Sequence, residues 1–231
     1  MEKTMLRADT TLRSSTSNGT ERATGDWRVC LPQLTSGAVV LREVRASDAS
    51  ALVSLLTTPQ ITRFISPPPQ TTEGFERFIA ASRRLREAGD GACFAVTLRD
   101  YDTAIGLFQV RRVSPAETDA RQIGGALDTA EWGFAIGAPF WGSGIFEQSA
   151  ALVMEFVFEQ VRVHRLEARC AVKNGRGGKA LQKVGAVPEG VLRNAFVSGH
   201  EYMDQMLYAI VERDWRLCRD RARAARLTLV H

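Results

Sequence analysis

The stretch from Glu131 to Val161 constrains the fold more than any other part of the chain. Glu131-Trp132-Gly133-Phe134-Ala135-Ile136 reads as a strand, and Gly137-Ala138-Pro139 ends it. Trp141-Gly142-Ser143-Gly144 then turns the chain into a helix from Ile145 to Val161. That helix has only a narrow polar stripe (Gln148, Glu155, Glu159), so most of its surface needs a sheet to bury it. Glycines admit a ligand close to the backbone, and the unpaired N–H groups of a helix start attract anions, phosphates above all. Two common phosphate motifs do not fit here. No GxxxxGKS or GxxxxGKT run is present, and the third glycine position of GxGxxG holds Glu147.

The remaining elements surround this unit. Val39 to Arg45 reads as a strand, and a short helix runs from Ser47 through Leu56. After the extended Pro67-Pro68-Pro69 loop, Phe75, Phe78, Ile79 and Leu85 share one face of a second helix closed by Gly89. Ala92 to Leu98 and Thr103 to Val113 are apolar strand-like runs, followed by a long polar loop from Ser114 to Asp128. Beyond the Glu131–Val161 unit, Leu166, Ala168, Cys170 and Val172 alternate with charged residues in a half-buried strand. A short helix follows from Lys179 to Val184, closed by Gly185. Two final strands, Gly190 to Val197 and Tyr202 to Val211, turn at Ser198-Gly199-His200. The expectation is an α/β (α+β) domain over residues 27–231: a mixed, seven-stranded sheet flanked by helices, with an Arg-rich C-terminal helix. Residues 1–26, Ser/Thr-rich with four acids and four bases, read as a disordered leader.

Composition removes several function classes. No segment approaches the ~20 apolar residues that span a bilayer. Four scattered cysteines, three histidines and no CxxC, HxxH or HExxH give no reason to expect a metal. Cys93 and Cys170 lie in apolar runs and read as buried free thiols, consistent with a reducing cytoplasmic setting. Of the 30 basic residues 26 are Arg, which reflects compositional bias more than a phosphate-binding design, and nucleic acid is not an expected partner.

From about Val39 to Trp215 the chain resembles the GCN5-related N-acetyltransferase (GNAT) superfamily, in its ribosomal-protein N-terminal acetyltransferase (RimJ/RimL-like) branch. Six blocks carry the likeness. They are Glu131-Trp132-Gly133-Phe134; Trp141-Gly142-Ser143-Gly144; His164-Arg165-Leu166-Glu167-Ala168-Arg169; Asn174 with Leu181-Gln182-Lys183-Val184-Gly185-Ala186; Glu189-Gly190-Val191-Leu192-Arg193; and Gly199-His200-Glu201-Tyr202-Met203-Asp204.

The resemblance implies a largely antiparallel sheet splayed between its fourth and fifth strands, with the pantetheine arm of acetyl-CoA in the opening. Phe134, Ala135 and Ile136 would bond that arm through their backbone. Trp141, Gly142, Ser143, Gly144, Ile145 and Phe146 would hold the pyrophosphate, and Asn174 would reach the arm. Phe146 and Gly177 depart from the family pattern; many relatives carry Ser at the latter, near the leaving sulfur.

An amine attacks a thioester only as the neutral base, so a proton must be removed. Glu131 is the candidate base; the alternatives are a strand-end carboxylate paired to Arg or one that orients substrate. Tyr202 is the candidate acid, its alternative a structural role in the last hairpin. His164 reads as a helix-end cap and Arg193–Asp204 as a cross-strand pair.

The implied activity is acetyl transfer from acetyl-CoA to a primary amine, a protein N-terminal α-amine in the nearest branch, by a monomer or homodimer without a metal. A small-amine acetyltransferase (amino acid, polyamine or antibiotic) and a non-catalytic acyl-CoA-binding protein are the alternatives.

Overall fold

The computed structural model describes residues 25–113, 129–199 and 201–228, with side chains through Arg221. The leader up to residue 24, the Ser114–Asp128 loop and His200 lie outside the described residues. One mixed sheet organises the chain. Its strands are β1 (Leu34–Ser36), β2 (Val39–Glu43), β3 (Gly91–Leu98), β4 (Tyr101–Val113), β5 (Thr129–Ile136), β6 (Arg165–Ala171), β7 (Val187–Ser198) and β8 (Glu201–Val211). They lie in the order β1-β2-β3-β4-β5-β6-β8-β7. Every neighbouring pair is antiparallel except β5–β6. The sheet therefore has eight strands rather than the seven read from the sequence. The additional one, β1, is three residues long and turns into β2 at Gly37, whose φ of 56° suits glycine.

Helices α1 (Ala49–Leu56), α2 (Pro59–Thr62) and α3 (Thr72–Ala88) belong to one face, and α4 (Ile145–Phe156) and α5 (Gly175–Lys183) to the other. Helix α6 (Glu212–Thr228) follows β8. Side chains alternate across β5. Ala130, Trp132 and Ile136 are buried in the larger core with Phe94, Phe108, Val153 and Phe156. Ala135 instead joins the smaller core of Leu52, Phe75, Ile79, Cys93 and Ala95 under α1 and α3. Glu131 and Gly133 share this second face by the same alternation. Trp132 thus packs opposite Glu131, in the core, as its place in the strand predicts.

Helix α3 begins at Thr71, whose hydroxyl accepts from Gly74 N at 3.1 Å, and ends at Gly89 with φ 80°. Helix α4 runs into a π-helical turn over Val157–Val161, closed by Arg162 at φ 62°. His164 does not cap that end with its ring. Its buried Nδ1 has no partner, and its carbonyl instead accepts from Glu212 N at 2.9 Å, tying β6 to α6. Nor does Arg193 pair with Asp204. The β7–β8 register is interrupted between Leu192 and Phe196, Asn194 takes φ 51°, and the Asp204 carboxylate accepts from Asn194 N at 2.9 Å. A bulge needs its loose N–H satisfied, and Asp204 does that.

Candidate active site

Strands β5 and β6 pair over only three rungs: Thr129 with Arg165, Ala130 with Leu166 and Glu131 with Glu167. Beyond Glu131, β5 continues to Ile136 with its other edge bonded to β4, and β6 continues to Ala171 bonded to β8. The facing edges of Trp132–Ile136 and Ala168–Ala171 make no ladder with each other, so the sheet opens as a V with its apex at Glu131 and Glu167. Open edges of this kind pair with an extended, amide-bearing chain as an added strand. Gly106 allows β4 to hold the end of β5 closely. A Cβ there would stand 2.5 Å from the Ala135 carbonyl oxygen and 2.9 Å from Ile136 Cα.

At the wide end of the V the chain leaves β5 through Gly137, whose N–H bonds the Ile105 carbonyl at 2.8 Å. A short 3-10 turn (Ala138–Phe140) leads to the loop Trp141–Gly144. Gly142 and Gly144 take φ values of 75° and 79°, which a Cβ would disfavour. The Trp141 indole donates to the Ile136 carbonyl at 2.8 Å, and the Ser143 hydroxyl donates to the Phe140 carbonyl at 2.6 Å. The Ser143 hydroxyl is thereby spent on shaping the turn. What remains to meet an anion is backbone N–H at the start of α4. Glu147, in the first turn of α4, faces Lys183 of α5 at 3.5 Å. The Phe146 ring lies against Phe134, with centroids 4.6 Å apart, and stacks on Phe108 at 5.9 Å. Its bulk belongs to this aromatic cluster.

The start of α5 reaches the same loop. The Arg176 guanidinium lies 3.9 Å from the centre of the Trp141 ring, a cation–π contact. Asn174 is the N-cap of α5, its Oδ1 accepting from Gly177 N at 3.0 Å, so only its Nδ2 end is left for a ligand. The cap also explains why α5 begins at Gly175, earlier than Lys179 as read from the sequence. Arg176 was not among the residues singled out from the sequence. An Arg between two glycines carries no periodic signal, and its relevance comes from the loop it stacks on.

On the opposite face, Glu131 lies at the apex with its side chain 37% exposed, and Arg169 Nε is 4.0 Å from its carboxylate. Neighbouring Glu167 is more firmly engaged, 2.7 Å from Arg165, which also holds Glu189 at 2.5 Å. These two carboxylates hold the Arg165 pKa above its ordinary value, Glu189 contributing most. Glu131 is thus the less committed of the two apex carboxylates. Gly133 follows on the same face, and a Cβ there would meet nothing within 4 Å, so room exists beside Glu131. Further along, Phe64, just past α2, packs on Ala171, Phe196 and Met203, joining the α1–α3 side to the β7–β8 hairpin.

The structure does not bring Tyr202 to this site. It is 68% exposed near the hairpin turn, opposite Val197, and pairs with no residue near the apex. Ala209 pairs with Glu167 at the apex, seven residues farther along β8, or about 23 Å at strand rise.

Residues 38–187, more than half the chain, match the GNAT acetyltransferase domain. The chain belongs to that family, and it is an acyltransferase. Among its relatives is YnaD of Bacillus subtilis (strain 168), an N-acetyltransferase, 24% identical over 79% of this chain and 98% of that one. The [ribosomal protein uS5]-alanine N-acetyltransferase of Escherichia coli (strain K12) is 21% identical over 79% and 92%. Among solved structures, Mycobacterium smegmatis RimJ in complex with CoA-disulfide superposes with a TM-score of 0.66 at 21% identity, over 79% of this chain and 87% of that one.

Proposed function

We propose that this chain transfers the acetyl group of acetyl-CoA to a primary α-amine at a protein N-terminus, by direct attack in a ternary complex. The observation that carries the reading is the V between β5 and β6, with the Trp141–Gly144 loop and the start of α4 at its wide end and Glu131 at its apex on the far face. Acetyl-CoA supplies an activated acyl group on a good leaving group. The unpaired edge of Phe134, Ala135 and Ile136 takes its amide-bearing arm, and the N–H groups from Trp141 to Phe146 take its phosphates, with Arg176 beside them. Asn174 Nδ2 adds one donor.

The amine enters from the face that carries Glu131 and Gly133. Glu131 removes its proton, directly or through water, since the N–H to be lost lies on that side. Much of the acceleration comes from holding nitrogen and thioester carbon together across the V. The protein acceptor is supported by the ribosomal-protein acetyltransferases among the relatives and by an acceptor face bounded by the Phe64 segment and the β7–β8 hairpin.

Mass-spectrometric acetyl transfer over a pooled panel tests this. The panel contains peptides beginning with Ala, Ser, Thr and Met, free amino acids, polyamines and aminoglycosides. Acetylation confined to peptide α-amines is the expected result. Acetylation of small amines alone overturns the protein acceptor while keeping the enzyme class. Acetyl-CoA binding without any transfer favours an acyl-CoA-binding protein.

A further inference from the structure

The acceptor face carries a charge pattern that the transfer chemistry above does not use. Glu131 is flanked by two arginines. Arg111 of β4 is its cross-strand partner, and residues paired in this way hold their Cβ atoms about 5 Å apart on one face. Arg169 of β6 lies on the other side, its Nε 4.0 Å from the Glu131 carboxylate. Strand alternation agrees. Val110, Leu166, Ala168 and Cys170 belong to the larger core, so Arg111 and Arg169 stand on the opposite face, with Glu131 and Gly133.

Neither arginine is saturated. Arg111 is exposed and makes no ion pair or side-chain hydrogen bond among the described residues. Arg169 is 43% exposed, and its contact with Glu131 is long. The neighbouring charges are closed off, since Arg165 holds both Glu167 and Glu189. Around the apex, two open guanidinium groups therefore face one carboxylate.

A surplus of this sign selects among amines. A polyamine or an aminoglycoside would bring several more positive charges against Arg111 and Arg169. An acceptor with a carboxylate near its amine would instead meet two planar forks that match carboxylate geometry. Reach sets how near that carboxylate must be. Arg111 stands one strand from Glu131, and Arg169 lies two residues past the Glu131–Glu167 rung, about 7 Å along β6. Three residues of an extended peptide span about 10 Å. A carboxylate taken by Arg169 also competes with Glu131 for that cation, which leaves the Glu131 oxygens open to the amine's proton.

From this geometry we infer that Arg111 and Arg169 select acceptors with a carboxylate close to the amine, which in a protein N-terminus means Asp or Glu within the first three residues. The inference rests on the acetyl-CoA reading above and narrows its acceptor class.

The test uses the full chain and peptides that differ only at their second and third residues, which are Asp-Glu, Ala-Ala or Lys-Lys. Two quantities are measured: kcat/KM for acetyl transfer, and binding of the same peptides to the CoA-loaded protein by fluorescence anisotropy. The acidic peptide should exceed the neutral one by about 10-fold in kcat/KM and the basic one by more. The difference should lie in KM and should narrow at high salt. Arg111→Glu should reverse the order of acidic and basic peptides, and Arg169→Gln should shrink it, with acetyl-CoA affinity and melting temperature kept in both. Free amino acids and their amides are compared in the same way. A charge preference in that set alone keeps the inference and overturns the protein acceptor. No charge preference in either set, or one that both variants leave intact, overturns the inference while acetyl transfer stands. Binding that favours the acidic peptide, with no transfer to any acceptor, keeps the two-arginine site and overturns the acetylation reading.

Discussion

Arg42 on β2 and Arg169 on β6 stand on the same face of the sheet, and each faces a carboxylate. Arg42 is nearly sealed, its side chain 7% exposed and that of its partner Asp48 5%. Two parallel hydrogen bonds of 2.8 Å join them, and Asp48 also accepts from Arg45 N. Asp102, its carbonyl and the Glu43 carbonyl complete the set of acceptors around the guanidinium. Arg169 and Glu131 are instead 43% and 37% exposed and only 4.0 Å apart. One pair has every donor matched, as a buried charge requires. The other is loose because the sheet has parted beside it. A saturated ion pair fixes a fold, whereas an under-committed carboxylate at a gap can accept a proton from something that arrives.

The largest effect that sharpens this contrast belongs to Glu131→Gln. Its turnover should fall by about 10²- to 10⁴-fold, with acetyl-CoA binding and melting temperature kept, as steady-state kinetics and calorimetry would record. Undiminished turnover would reassign Glu131 to orientation or pairing.

Asp48→Ala should behave in the reverse way. Stranding the buried Arg42 should cost roughly 3–5 kcal/mol in urea unfolding, with kcat per folded molecule unchanged.

A smaller effect distinguishes Asp102, which sits on the rim of the Arg42 cluster. The hydrogen bond from Arg42 holds its carboxyl below the ordinary 3.8. A depressed folded-state pKa contributes stability that is complete above the unfolded value and lost as pH falls through the folded one. Wild-type urea midpoints should therefore drop below about pH 4 more steeply than those of Asp102→Asn, and equal slopes would remove Asp102 from the account.

Least of all, Arg169→Ala should change stability by less than about 1 kcal/mol, as exposed pairs do. A loss as large as that of Asp48→Ala would erase the distinction between the two regions.

Much of this arrangement was legible in the sequence, for reasons that differ by element. The β5–loop–α4 unit stood out because its glycines punctuate two strong periodicities, and both glycines of the loop do take positive φ. β1 escaped because Leu34-Thr35-Ser36 is too short to show alternation, and its pairing comes from the Gly37 turn. The early start of α5 was hidden by Gly175, Gly177 and Gly178, poor helix formers that the Asn174 cap overrides. Tyr202 stood out as the one candidate acid in the last hairpin, but the sequence could not show that it lies 68% exposed, seven residues along β8 from the Ala209 that pairs at the apex.

The three-rung junction between β5 and β6 has a mechanical meaning as well. Strands β1–β5 form one plate and β6–β8 another, hinged along Thr129–Glu131 and clasped at the far side by Phe64 on Phe196 and Met203. A donor lodged in the opening acts as the missing rungs, loading both plates at once. Ligand should therefore raise not only the temperature at which the protein melts but the sharpness with which its two halves melt together.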